Sequence, residues 1–170
     1  MIKKITLSII LFILCTVQLH ALIEVDITRG NLDPLPVAVS PLSADKNTND
    51  KLSQELKINK VGHKISEVVE NNLKNSGLFN PLNKDAFLQK PDIAHLKPRF
   101  EDWSLIKAQA LITGKVTLTD EKLRVEFRLW DVLAGKEMMA LAFTTVPSNW
   151  RRVGHIITDK VYERLTGEKG

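Results

Sequence analysis

The sequence predicts an α/β (α+β) domain, a two-layer sandwich with a mixed sheet of about five strands and two main helices on one face. Three observations carry that prediction. Two long segments place apolar residues three and four positions apart, the period of an amphipathic helix. One region alternates apolar and polar residues through three consecutive runs joined by short turns, which reads as an antiparallel meander. An earlier run is short, β-branched and almost wholly apolar, as a strand buried on both faces would be. Each element has one apolar face to bury, and helices laid over one face of a sheet bury both sets together.

The chain opens with Lys3 and Lys4, followed by an apolar run from Ile5 to Val17 that only Thr6, Ser8 and Thr16 interrupt. Gln18-Leu19-His20-Ala21 then ends on a small residue. This is the layout of a secretory leader cleaved after Ala21. The run is shorter than the ~20 apolar residues of a membrane span, which favours a cleaved leader over the alternative, an uncleaved anchor. Cys15 suggests a lipidation site, but the residue before it is Leu14, where such a site wants a small side chain.

Removing residues 1–21 leaves one ordinary domain, large enough to fold without disulfide or metal staples. Cys15 is the sole cysteine, so no disulfide is expected in the exported protein. Two of the 24 basic residues leave with the leader, so against 20 acidic residues the remaining excess is two. That balance, with acids and bases interleaved, argues against a nucleic-acid partner.

From Leu22 the chain alternates Ile23, Val25 and Ile27 with Glu24, Asp26 and Thr28, an extended pattern that Gly30, Pro34 and Pro36 separate from the first core strand. Pro36 to Val39 is that buried strand, Pro41 ends it, and Ser43 to Lys51 reads as a polar loop. Ile58, Val61, Ile65, Val68, Val69 and Leu73 form the first helical stripe. Lys60, Lys64, Glu67, Glu70 and Lys74 fall opposite, with Glu70 and Lys74 spaced as a helical ion pair. Gly77 supplies the stop, and Leu78-Phe79 resumes as a short extended piece. Pro91 and Pro98 keep any long element out of the next stretch. It has room for a turn of helix around Ala86–Leu88 and a short helix capped by Asp102. The meander comes next: Ala110 to Leu118, Leu123 to Leu129 and Glu137 to Thr145, with turns at Thr119-Asp120-Glu121 and Leu133-Ala134-Gly135. Ser148 is the expected cap of a last helix whose stripe is Trp150, Val153, Ile157, Val161 and Leu165, ended by Gly167.

Candidate chemistry is sparse. His63, His95 and His155 are far apart, so none forms a helical metal pair. No G-x-S-x-G elbow is present, and Thr113-Gly114-Lys115 lacks the glycine run and following helix of a phosphate loop. Gly114 reads instead as a strand glycine under a packed helix. Trp103 and Trp150 sit on apolar stripes and are expected in the core. No cofactor, metal or catalytic residue is expected.

The run Asn72-Leu73-Lys74-Asn75-Ser76-Gly77-Leu78-Phe79-Asn80-Pro81-Leu82 resembles the amino-terminal domain of the TolB family, periplasmic members of the Tol-Pal system. So do Ala110 to Val116, Trp150 to His155 and the ending Val161 to Gly170. The resemblance implies a mixed sheet with helices on one face, reached above independently from periodicity, and a non-enzymatic adaptor in the periplasm. It implies a division into a leader (1–21), a partner-binding arm (22–34) and an α/β domain (35–170). In the family the start of the mature chain contacts TolA, so the expected partner-binding residues are Leu22, Ile23, Glu24, Val25, Asp26, Ile27, Thr28, Arg29, Gly30, Asn31, Leu32 and Asp33. The family's propeller, on which Pal docks, would begin where Gly170 ends this sequence, so Pal is not an expected partner. The expected role is support of outer-membrane integrity and of envelope constriction in cell division. Two alternatives stay open: another envelope-assembly factor that regulates cell-wall synthesis, and a small secreted hydrolase. The arm's alternation also fits an ordinary edge strand of the domain's own sheet.

Overall fold

The computed structural model describes residues 23, 33–44, 58–119 and 121–169. The strands are β1 (Leu35–Val39), β2 (Ser43–Ala44), β3 (Phe79–Pro81), β4 (Ala110–Thr119), β5 (Lys122–Asp131) and β6 (Lys136–Thr145). The α-helices are α1 (Ile58–Asn75), α2 (Pro91–Ala94), α3 (Phe100–Leu105) and α4 (Trp150–Thr166), with 3-10 turns at Lys84–Ala86 and Pro147–Asn149. The six strands form one mixed sheet in the order β3-β1-β4-β5-β6, with β2 beside β4. β1 runs parallel to β3 and β4, while β4, β5 and β6 form the antiparallel meander.

α1 and α4 lie together over one face, and their apolar stripes close on the sheet. Ile65, Leu73, Ile157, Val161 and Leu165 from the helices meet Val37, Val39, Ile112, Val125, Phe127 and Leu129 from the strands, all essentially inaccessible. The helices cross closely at Gly154, where a Cβ would stand 2.8 Å from Val68 Cγ1. α1 is tied to the β1–β2 connection by Ser66, whose hydroxyl accepts from the Leu42 amide (2.9 Å) and lies 3.3 Å from the Ser40 carbonyl. Gly77 and Gly167, at φ +74 and +75, end α1 and α4 in the left-handed conformation that favours glycine.

Several expectations are corrected. Ser43-Ala44 is not loop: it pairs with Lys115-Val116 as a short parallel strand. Ser148 lies inside the 3-10 turn, and Asn149 is the residue before α4. Asp102 sits within α3 rather than capping it; Arg99 precedes the helix, and its Nε donates to Asp102 at 2.7 Å. Glu70 forms its ion pair with Lys84 instead of Lys74. The helical turn expected around Ala86–Leu88 is the 3-10 turn at Lys84–Ala86.

The second face of the sheet is partly covered. The segment from Leu82 to Ala108 folds over it where β1 and β4 begin, closing a second cluster of Ala38, Ala94, Trp103, Ala108, Leu111 and Val132. Trp103 is its centre: it meets Phe87 edge-on at 5.0 Å, and its Nε1 donates to Gln89 Oε1 at 3.1 Å. Gln89 also accepts from the Arg99 amide and donates to the Lys97 carbonyl, so the irregular chain around Trp103 is held by paired polar groups. The first half of β4 is therefore buried on both sides.

Candidate functional site

Asp131, the last residue of β5, is buried at 1% exposure and divides its carboxylate between two main-chain donors. Oδ1 accepts from the Ala134 amide at 2.8 Å, which shapes the turn into β6 where Gly135 takes φ +62. Oδ2 accepts from the Ile23 amide at 3.2 Å. An aspartate opening a tight turn is common, because its side chain satisfies the turn's own N–H groups. The second bond is not local: it joins residues 108 apart in the chain and fastens the start of the arm to the end of β5.

Ile23 is half-buried and packs against the main core. At the other end of the arm Asp33 is exposed, and the Leu35 amide enters the sheet by donating to the Leu78 carbonyl at 2.9 Å. The strand register places Val37, Ala110 and Asp131 side by side, so the arm leaves from and returns to the same end of the sheet. Of the expected partner-binding residues, Ile23 and Asp33 are thus located. Leu22, Glu24, Val25, Asp26, Ile27, Thr28, Arg29, Gly30, Asn31 and Leu32 lie outside the described residues, as does the expected cleavage point at Ala21.

The histidines are dispersed. His63 and His155 are exposed, and His155 Nδ1 lies 2.8 Å from Asn72 Nδ2. His95 is buried just after α2, with its Nδ1 unpartnered. Burial first, then the charges of Arg128 and Lys115, hold its pKa below the ordinary value, and Glu126 opposes them. Burial pushes the Glu126 carboxyl up, but the hydrogen bond from Arg124 and the neighbouring cations outweigh it and set the group below the usual carboxylate range. Among the described residues no three His, Cys, Asp or Glu side chains converge as a metal site would require, and no helix is long and apolar enough to cross a membrane. Gly114 is crowded as expected, although by Leu42 and the Glu126 carbonyl and not by a helix. Trp150 departs from its expected burial: it is half-buried, with Arg151 and Lys64 over its ring at 4.7 and 5.7 Å.

A mixed sheet carrying two helices on one face, with Ile23 fastened to the end of β5 through a buried carboxylate, defines a small α/β module. The family model for the TolB amino-terminal domain matches residues 23–138, and the chain belongs to this family. The Tol-Pal system protein TolB of Pelagibacter ubique (strain HTCC1062) is 77% identical over 161 residues, which cover 95% of this chain and 36% of that protein. The crystal structure of TolB from Acinetobacter baumannii superposes with a TM-score of 0.63 at 21% identity, covering 81% of this chain and 30% of that one. The chain therefore spans about a third of the length of these relatives.

Proposed function

We propose that the chain is a periplasmic, non-enzymatic adaptor of the Tol-Pal system. In this reading a leader is removed after Ala21, and residues Leu22–Asp33 bind a TolA-type inner-membrane protein to support outer-membrane integrity and constriction during division. The α/β domain from Leu35 onward holds the arm in place. Membership in the TolB amino-terminal domain family supports the assignment to the system. The observation that supports the site is the Ile23–Asp131 hydrogen bond, because it ties the described start of the arm to the end of β5. A segment that alternates Ile23, Val25 and Ile27 with polar residues is suited to adding as a strand to another protein's sheet edge.

Deleting Leu22–Asp33 tests this. The expected variant keeps the far-ultraviolet circular dichroism of the folded domain, melts at a modestly lower temperature and no longer captures the TolA-type protein. A variant that fails to fold makes the arm part of the core. Unchanged capture places the epitope elsewhere.

A further inference from the structure

We propose that His95 is a pH-operated latch: when its buried side chain takes up a proton, the strap between Leu82 and Gln109 comes away from the sheet while the main core stays folded. Both ends of this strap hang from β1. The Leu82 and Gln109 amides donate to the Val37 and Pro36 carbonyls at 2.9 and 3.0 Å. Between them lie a 3-10 turn and the short helices α2 and α3, none long enough to persist without tertiary contacts. The bonds of Gln89, to Lys97, Arg99 and Trp103, all stay inside the strap. Its hold on the sheet is the second cluster, where Ala94, Trp103 and Ala108 close on Ala38, Leu111 and Val132, together with Phe100 edge-on to Trp130 at 5.8 Å. Releasing it exposes that cluster and leaves the sheet, α1 and α4 in place.

His95 follows Ala94 directly, is 3% exposed, and has no hydrogen-bond partner at Nδ1. A neutral imidazole offers one donor and one acceptor, whereas the protonated ring has two donors and a charge, and burying that charge unpaired is costly. The sheet opposes it further. Lys115 on β4 and Arg128 on β5 face the ring with like charge, and Glu126 on β5 faces it with the opposite charge. That carboxylate is already engaged: its Oε1 accepts from Arg124 Nε at 2.9 Å and lies 3.9 Å from Lys115 Nζ. The described strands β1 and β2 carry no charged residue, and the acid in α2, Asp92, has contacts of its own. Lifting the strap returns the ring to water, where it titrates at the ordinary 6.5. Proton uptake therefore favours the open form. Below pH 6.5 each unit raises the ratio of open to closed strap about tenfold, until the lowered value of the closed form is reached.

Amide hydrogen exchange of the exported chain, recorded from roughly pH 7.5 to 5 and corrected for the intrinsic pH dependence of exchange, tests the latch. Amides of residues 82–108 are expected to open about tenfold more for each unit below 6.5, while those of α1 and α4 stay better protected at every pH. In His95→Phe and His95→Gln the opening of residues 82–108 should no longer depend on pH over this range, whatever its level. A nuclear magnetic resonance titration of the native His95 ring should give a midpoint below 6.5, and this reading needs no variant. Residues 82–108 exchanging only together with α1 and α4 would overturn the proposal, because the strap would then open only with the whole domain. So would an opening independent of pH in the native chain, a pH dependence kept by both variants, or a His95 midpoint at or above 6.5.

Discussion

Replacing Asp131 with asparagine removes one hydrogen-bond acceptor and almost no volume, which isolates the contact between the arm and the domain. The retained oxygen can still accept from the Ala134 amide at 2.8 Å, but the new amide nitrogen cannot accept from Ile23. A hydrogen bond with one charged partner contributes about 1.5–3 kcal/mol. The Ile23 bond is 3.2 Å long and only partly buried, so the lower figure applies, and Asp131→Asn should cost ~1.5 kcal/mol. Asp131→Ala also deprives the Ala134 amide of its acceptor beside a buried strand end, and should cost about 3–4 kcal/mol. Urea denaturation of the three proteins measures both differences. Amide exchange at Ile23 should accelerate in both variants, whereas exchange at Ala134 should accelerate in the alanine variant alone. Equal destabilisation by the two substitutions, or unchanged exchange at Ile23, would refute the claim that Asp131 anchors the arm.

Three further outcomes are expected from the packing. Trp103, 1% exposed and hydrogen-bonded, should lose about 3–5 kcal/mol on replacement by alanine, while half-buried Trp150 should lose about half as much, both read as shifts in the denaturation midpoint. Gly154→Ala sets a methyl 2.8 Å from Val68 Cγ1 and should cost about 1–3 kcal/mol, part of which a second change, Val68→Ala, recovers by making room. His95 is held neutral by burial and by Arg128 and Lys115, so its folded pKa lies below the ordinary 6.5 and the unfolded chain takes up its proton first. Its contribution to stability is therefore complete above pH 6.5 and is lost as pH falls through the lowered folded value. Melting temperatures recorded across that range should fall less steeply for His95→Phe than for the native chain.

Much of the architecture is legible in local pattern. The stripes from Ile58 to Leu73 and from Val153 to Leu165 fall within the observed helices α1 and α4, and Gly77 and Gly167 stop them where a left-handed residue is needed. The three strands of the meander are equally plain, because alternation and turn residues are properties of neighbours in the chain. The resemblance to the TolB family is readable in short ordered pieces such as Ser76-Gly77-Leu78-Phe79. Trp150 shows where pattern stops being informative: it continues the stripe of α4, yet it lies at the helix's first residue, where the core thins and the ring is half-buried under two cations.

The same limit explains the rest. The run Leu82 to Ala108 shows Trp103 on a short apolar stripe, and it is buried as that stripe predicts, but nothing in the run announces that Trp103 and Ala94 close a second core over Ala38 and Leu111. Nothing in the local pattern singles out Asp131, and only folding brings its second oxygen to Ile23. Periodicity reports which face of an element is apolar, and thereby establishes the helices, the meander and the class of fold. Which faces are covered, and by what, depends on contacts between residues far apart in the chain. The place of Ile23 at the end of β5, and the second core under Leu82 to Ala108, are accordingly set by the packing of the whole domain.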